Sequence, residues 1–207
     1  MSEFSPRAPH AVAAIILAAG SSSRMGTPKQ LLNYQGTTLL RRVAEQAVAA
    51  DCAPIVLVTG HLHEPLLHEV KGLPIIGVHN PDWALGMGGT LKIGLQALEQ
   101  QSHTEQLSGV LVLLSDQPLV TADLLHKLIA LHRNSAAPAV ATQYAGSIGV
   151  PAVFARSHWQ RLASLPPQQG AKKLLEHLGP EVATIDFAPA ALDIDTPEQY
   201  AALLASS

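Results

Sequence analysis

Short apolar segments alternate with stretches of helical periodicity along most of this chain of 207 residues. Segments that are almost wholly apolar are typical of strands buried on both faces of a parallel sheet. The alternation therefore predicts one three-layer α/β/α domain with a mainly parallel, twisted sheet. The predicted strands are residues 12–17, 55–59, 74–78, 110–114, 139–143, 151–155 and 182–186.

Between these strands, apolar residues at spacings of three and four mark one face of a helix. Thr121 and Thr196 each precede an acid or a proline in a first helical turn, which makes them predicted N-caps. Four helical faces are predicted from Leu39, Leu40, Val43, Ala47 and Val48, from Leu91, Leu95 and Leu98, from Leu124, Leu125, Leu128 and Ile129, and from Leu174, Leu175 and Leu178.

The composition narrows the class of protein. Charged residues make up 14% of the chain and hydrophobic residues 47%, which indicates a folded core. The net charge of −3 argues against a nucleic-acid partner, and the longest apolar stretches are too short to cross a membrane. The single cysteine, Cys52, excludes an intrachain disulfide. We expect a cytoplasmic protein with a flexible N-terminus, residues 1–11, and one domain, residues 12–207.

The first predicted strand leads directly into a loop of small residues, 18–27. Gly20 and Gly26 would let the backbone approach a ligand closely, and successive N–H groups could line an anion site. Arg24 offers a planar fork for phosphate oxygens, and Lys29 offers a compact charge. The loop lacks the endings of a P-loop and of a dinucleotide-binding motif. It nevertheless predicts phosphate binding.

Two acidic elements follow predicted strands, where ligands bind in sheets of this type. Asp116 comes after the most apolar strand, and a carboxylate there is suited to Mg²⁺ beside substrate phosphates. Asp193 and Asp195 alternate with Leu192 and Ile194, so in an extended chain both carboxylates face one side. A turn at Asp116 and a capping role for Asp195 are the alternatives that the residues leave open.

A glycine-rich segment, residues 80–90, is the third candidate. Gly86, Gly88 and Gly89 would admit a ligand against the backbone. Thr90 is predicted to cap a helix that begins at Leu91, with N–H groups directed at an anion or a nucleobase edge.

Residues 17–29 resemble the signature L-A-A-G-x-S-x-R-M-G-x-x-K of nucleotidyltransferases, and in particular that of molybdenum cofactor cytidylyltransferases in the MobA-like superfamily. The resemblance implies a Rossmann-like nucleotidyltransferase fold and a catalytic role for Arg24, Lys29 and Asp116. It assigns Mg²⁺ to Asp116 and Asp195, with Asp193 as a weaker candidate. The nucleotide-binding residues that it implies are Leu17, Ala18, Ala19, Gly20, Ser21, Ser22, Ser23, Arg24, Lys29, Gly86, Gly88, Gly89 and Thr90.

The acceptor side departs from the family pattern. Residues 146–151 resemble Gly-x-x-Gly-His-Pro, but Val150 replaces the histidine. Lys172 stands where the family has arginine, and Gln168 replaces an aspartate. On the nucleotide side, Gly88 and Gly89 replace serines. The resemblance assigns acceptor binding to Gly149, Val150, Pro151 and Lys172.

The implied reaction is attack of an acceptor phosphate on the α-phosphorus of a nucleoside triphosphate, with release of pyrophosphate. Ala18-Ala19-Gly20 resembles the cytidylyl branch, so CTP is expected over GTP, and molybdopterin is the expected acceptor. A molybdoenzyme or its chaperone is a further candidate partner. Two alternatives stay open: a sugar- or polyol-phosphate nucleotidyltransferase, and a non-catalytic carrier of the molybdenum cofactor.

Overall fold

The computed structural model describes residues 11–22 and 25–205. Seven strands form the main sheet in the order β5-β4-β1-β6-β8-β7-β9, and β2 pairs with β3 in a small hairpin. The strands are β1 Ala11–Ala18, β2 Asn33–Tyr34, β3 Thr37–Thr38, β4 Ile55–Thr59, β5 Ile75–His79, β6 Leu107–Leu114, β7 Ala139–Tyr144, β8 Ser147–Ala155 and β9 Ala183–Asp186. The helices are α1 Leu39–Ala49, α2 His63–Glu69, α3 Met87–Glu99, α4 Ala122–Asn134, α5 Trp159–Ala163, α6 Ala171–Leu178 and α7 Pro197–Ala205.

The predicted fold class is confirmed. Strands β5, β4, β1 and β6 run parallel to one another, and β7 runs parallel to β9, whereas β8 is antiparallel to both of its neighbours. Strand β8 begins at Ser147, earlier than predicted, because Ala145 and Gly146 adopt positive φ angles and form a hairpin turn. Ala11, the last residue of the segment predicted to be flexible, opens β1, and residues 1–10 lie outside the described ranges.

The core lies in two apolar layers, one on each face of the sheet. In β1, Ile16 faces the layer that contains α1 and α4, and Ile15 faces the layer that contains α3 and α6. Gly94 lets α3 approach the sheet closely, since a Cβ there would lie 2.8 Å from a methyl carbon of Ile15 and 3.0 Å from one of Val58. None of the described helices is long and apolar enough to span a membrane.

A third, smaller apolar cluster lies at the carboxyl edge of the sheet. It joins the loop after β1, the β2–β3 hairpin, the segment before α7 and α7 itself. Tyr200 of α7 reinforces it, because its hydroxyl donates a hydrogen bond of 2.6 Å to the carbonyl of Asn33. The fully buried Ile194 fixes the segment that carries Asp193 and Asp195. The cluster consists of Met25, Tyr34, Leu39, Ile194 and Leu203.

Two of the predicted helix starts are confirmed and one is wrong. The hydroxyls of Thr121 and Thr196 accept hydrogen bonds of 3.3 Å from backbone N–H groups in the first turn. Thr90 does not cap a helix: α3 begins at Met87, and Gly86 is its N-cap residue with φ of 125°. Glycine reaches this φ without strain, so the chain turns into the helix before Thr90. The Thr90 hydroxyl instead donates to the carbonyl of Gly86 over 3.3 Å.

Candidate functional site

A cleft opens at the carboxyl ends of β1 and β6. Three parts of the chain line it: residues 17–21 with Lys29 and Gln30, residues between 83 and 90, and residues 114–116. These are the loop after β1, the glycine-rich segment and the first acidic element. Three elements that the sequence marked independently therefore meet in one place.

Lys29 occupies the charged end of the cleft. Its ammonium group forms an ion pair with Asp116 and donates a hydrogen bond of 2.8 Å to Oδ1 of Asp195. The backbone N–H of Ile194 donates to the carbonyl of Asp116 over 3.1 Å, which joins the two acidic segments. Burial lowers the pKa of Lys29, but the charges and hydrogen bonds of Asp116 and Asp195 outweigh it and raise the pKa. Lys29 is therefore a cation at neutral pH.

Two carboxylate oxygens in this part of the site lack a hydrogen-bond partner in the described part of the chain. Oδ1 of Asp116 and Oδ1 of Asp193 are buried and have no hydrogen-bond partner among the described residues. Burial, and next the charge of Asp116, raise the pKa of Asp193 to about 6. Buried carboxylate oxygens without donors are the hard ligands that Mg²⁺ takes.

These carboxylates do not form a complete metal cage. Within residues 11–22 and 25–205, no group of three His, Cys, Asp or Glu side chains is arranged to hold a metal ion. Mg²⁺ at nucleotide sites binds through one or two carboxylates and completes its shell with phosphates and water. The residues present fit that mode of binding, in which the nucleotide supplies the remaining ligands.

The opposite end of the cleft is apolar and was missed in the sequence. Trp83, Ala84 and Met87 line it there. Trp83 lies against Gly60, beyond the end of β4, whereas Asp116 follows β6 on the other side of β1. Gly60, which follows β4, makes this possible: a Cβ at Gly60 would lie 2.6 Å from the carbonyl oxygen of Ala19 and 2.7 Å from Cγ of Trp83. The one indication in the sequence that this part of the site exists was the aromatic residue, Trp83, in the segment 80–90. Only the folded chain brings it next to Ala19.

The loop after β1 holds itself in a tight arrangement. Ser22 adopts a left-handed φ of 54°, and its hydroxyl accepts a hydrogen bond of 3.0 Å from the backbone N–H of Lys29. The Ser22 hydroxyl is thus engaged within the loop. Ser23 and Arg24, which the sequence assigned to nucleotide binding, lie outside the described residues.

The glycine-rich segment touches the loop before α6. The N–H of Gly88 donates a hydrogen bond of 2.8 Å to the carbonyl of Pro167, so this amide is not directed at a ligand. A Cβ at Gly88 would collide with the carbonyl oxygens of Pro166 and Gln169, which explains why the serine of the family pattern is missing. A Cβ at Gly89 would meet nothing within 4 Å. Gly86 and Thr90 line the cleft, whereas Gly88 and Gly89 do not.

The residues assigned to the acceptor lie apart from the cleft lining. Gly149 packs against the Tyr144 ring, and Lys172 is exposed in the first turn of α6. The carbonyl of Val150 accepts a hydrogen bond of 3.2 Å from the side chain of Gln117, the neighbour of Asp116. Neither Gly149, Val150, Pro151 nor Lys172 lines this cleft.

Residues 14–182 match the model of the MobA-like NTP transferase domain. The chain belongs to the MobA-like NTP transferase family. The resemblance inferred from the signature loop is therefore confirmed, and the protein is a member of a nucleotidyltransferase family. The matched residues include all the residues that line the cleft.

Similar proteins carry names from more than one reaction class. The chain is 31% identical to nicotine blue oxidoreductase of Paenarthrobacter nicotinovorans, a match that covers 93% of this chain and 96% of the relative. It is 30% identical to the molybdenum cofactor cytidylyltransferase of Escherichia coli strain K12, covering 92% and 94%. Membership in the MobA-like family therefore does not by itself identify the substrates.

A solved structure supports the fold. Rv0371c of Mycobacterium tuberculosis H37Rv, crystallised as a complex with manganese, superposes with a TM-score of 0.73 at 26% identity. The match covers 95% of this chain and all of the other, 100%. The three-layer architecture therefore extends across nearly the whole MobA-like chain.

Proposed function

We propose that this protein is a Mg²⁺-dependent nucleotidyltransferase that transfers CMP from CTP to the phosphate of molybdopterin or molybdenum cofactor and releases pyrophosphate. The observation that carries the proposal is the polarity of the cleft. Lys29 lies with Asp116 and Asp195 at one end, and Trp83 lies with the apolar wall at the other. A nucleoside triphosphate has the same polarity, with charged phosphates at one end and a flat base at the other.

The reaction demands little covalent chemistry from the protein. An oxygen of the acceptor phosphate attacks the α-phosphorus, and the bond from that phosphorus to the bridging oxygen breaks, so that pyrophosphate leaves with the electron pair. The acceptor phosphate is already ionised at neutral pH, so no general base is needed. Catalysis then rests on alignment and on stabilising charge.

The residues at the charged end divide this work. Asp116 and Asp195 would hold Mg²⁺, and Asp193 lies close enough to interact with Asp116 electrostatically. Bound there, the metal would neutralise charge between the nucleotide and the acceptor phosphate. Lys29 stabilises the negative charge that develops on the departing pyrophosphate. Arg24 is proposed to act with it on the triphosphate.

The choice of CTP rests on the apolar end of the cleft. Ala18 and Ala19 form part of its wall, and the Ala19 carbonyl lies beside Trp83 through Gly60. A methyl group at Ala19 takes space that a purine would need and leaves room for the smaller cytosine ring. The relative in Escherichia coli is named as a cytidylyltransferase, which supports the same choice.

A sugar- or polyol-phosphate is the second candidate acceptor. The specific observation in its favour is that Val150 and Gln168 replace the histidine and the aspartate of the family pattern. A non-catalytic carrier is disfavoured, because a carrier has no use for Lys29 placed between two carboxylates.

The test is a matrix of the four nucleoside triphosphates against molybdopterin, with and without molybdenum, and common sugar phosphates. Pyrophosphate release is measured with Mg²⁺, with Mn²⁺ and with excess chelator. We expect metal-dependent release with CTP and molybdopterin. Release only with a sugar phosphate would support the second acceptor. No release in any combination, together with reduction of nicotine blue in a parallel assay, would overturn the proposal.

A further inference from the structure

Gln30 is a buried polar residue that the proposed chemistry does not use. It follows Lys29 in a single helical turn after the signature loop, and only 1% of its surface is exposed. A buried carboxamide without partners would destabilise the fold. Its contacts therefore show what it does.

The side chain of Gln30 reaches back to the loop after β1 and satisfies both ends of its carboxamide. Nε2 donates hydrogen bonds to the carbonyls of Gly20, at 2.9 Å, and of Ala18, at 3.4 Å. Oε1 accepts a hydrogen bond of 3.1 Å from the hydroxyl of Ser22. Because two carbonyls need a donor and the hydroxyl can supply its own proton, this orientation of the amide is the one that satisfies every partner.

These contacts fix the direction of the loop's peptide groups. In a trans peptide the C=O and the following N–H point in opposite directions. When Gln30 holds the carbonyl of Gly20, the N–H of Ser21 is directed away from Gln30. Gly20 imposes no direction itself, since glycine rotates freely and a Cβ there would meet nothing within 4 Å.

The same carboxamide supports the strained residue of the loop. Ser22 has a left-handed φ, and its hydroxyl lies between Gln30 and the backbone N–H of Lys29. A non-glycine residue keeps such a conformation only where its surroundings impose it. Gln30 thereby links the shape of the loop to the start of the turn that carries Lys29.

We propose that Gln30 is a positioning residue that holds the signature loop in the shape required for binding the nucleoside triphosphate. The inference rests on the proposed function, since it assigns the triphosphate to this loop. It requires both a donor and an acceptor at the end of a side chain of this length. Glutamate would lose the donors to Ala18 and Gly20, and methionine would fill the space without any hydrogen bond.

The experiment compares Gln30→Met and Gln30→Glu with the wild type and with a control, Gln46→Met. Gln46 also uses its side chain to hold backbone, because its Oε1 accepts a hydrogen bond of 2.8 Å from the N–H of Ala122. It does not line the cleft. Thermal unfolding, CTP binding by calorimetry with Mg²⁺, and hydrogen exchange of residues 18–22 are measured for all four proteins.

We expect both Gln30 variants to raise the Kd for CTP by about 10-fold, the effect of losing one or two loop hydrogen bonds. Hydrogen exchange in residues 18–22 should become faster. Gln46→Met should lower the Tm and leave both readouts unchanged. If Gln30→Met does not fold, Gln30→Glu carries the test.

Unchanged CTP affinity and unchanged exchange in a folded Gln30 variant would overturn the inference. If the wild type binds none of the four triphosphates, the proposed function fails instead. The exchange measurement then still decides whether Gln30 orders the loop.

Discussion

The two halves of this site are built in different ways. The proposed nucleotide half consists of residues 17–21, Lys29 and Gln30 with Trp83, Ala84, Gly86, Met87 and Thr90, and these residues line the cleft directly. The proposed acceptor half consists of residues 146–151 with residues 166–172, none of which lines the cleft. Its residues contact the rest of the site through backbone carbonyls, those of Val150 and Pro167. A half held by backbone contacts tolerates changes of side chain, and the departures from the family pattern are concentrated there.

We propose from this difference that the two substrates are recognised by separate parts of the site. Gln30 holds the loop of the nucleotide half, and Gln117 donates hydrogen bonds to the carbonyl of Val150 in the acceptor half, at 3.2 Å, and to that of Ala190, at 3.1 Å. The junction of the two halves is the ion pair of Lys29, in the nucleotide half, with Asp116, whose neighbour Gln117 contacts the acceptor half. Changes at this junction should abolish the reaction, whereas changes within one half should affect one substrate.

The largest effect is expected at the carboxylates of the junction. Asp116→Asn and Asp195→Asn should each abolish the metal-dependent reaction, because an amide oxygen carries no charge for Mg²⁺. Pyrophosphate release as a function of Mg²⁺ concentration measures this, with circular dichroism to check the fold. Asp186→Asn, an exposed change at the end of β9, is the control. High activity that does not respond to added Mg²⁺ would show the metal assignment to be wrong.

Lys29→Ala should lower kcat by at least about 100-fold, the scale of removing one well-placed group that stabilises developing charge. The variant also leaves Asp116 and Asp195 without their shared cation, so its Tm must be measured beside its activity. Lys127→Ala, which removes an exposed ion pair with Asp123, is the matched control and should have normal kcat. Near-normal turnover in a folded Lys29→Ala protein would remove Lys29 from the catalytic assignment.

Ala19→Gly probes base choice within the nucleotide half. Removing the methyl group should weaken the preference for CTP over GTP by about 1–3 kcal/mol at most, the range of a methylene-sized change. Trp83 still borders the same end of the cleft, so the preference should not invert. The ratio of kcat/KM for the two nucleotides decides it. An unchanged ratio, or a wild type that prefers GTP, would show that this loop does not set base choice.

The smallest effect is expected in the acceptor half. Lys172→Ala should raise the KM for the acceptor by about 3- to 10-fold and leave the Kd for CTP unchanged, because an exposed charge contributes little in water. Lys173→Ala is the control, since this neighbour is also exposed but pairs with Glu176 over 3.2 Å. Equal effects of the two variants, or a change in CTP affinity, would mean that the halves are not separable in this way.

Periodicity was sufficient to predict the architecture because buried strands and amphipathic helices are local patterns. Periodicity did not predict the elements that are too short or too poor in apolar residues to show a repeat. The two-residue strands of the β2–β3 hairpin are too short to show alternation, and α3 begins with Met87 and two glycines, which are poor helix formers. Helix α2 was also not predicted, since its apolar face is reduced to Leu66 among its buried residues.

Within the site, the sequence located the residues that belong to a motif and missed those that depend on distant contacts. Lys29, Asp116 and Asp195 follow strand ends or a signature, and the structure brings them together. The position of Trp83 in the cleft could not be predicted, because it depends on the contact between Trp83 and Gly60 in the folded chain. The contact of Gly88 with Pro167 could not be predicted, because no motif or pattern in the sequence links these two segments.

The ion pair between Lys29 and Asp195 joins positions 166 residues apart. During synthesis, domains form from the N-terminal side, and contacts of such separation come late. A nascent chain that has emerged as far as β9 has the cleft and its apolar wall but not its full set of charges. A chain that ends before position 195 lacks one of the two carboxylates paired with Lys29, so we expect it to be inactive in the proposed reaction.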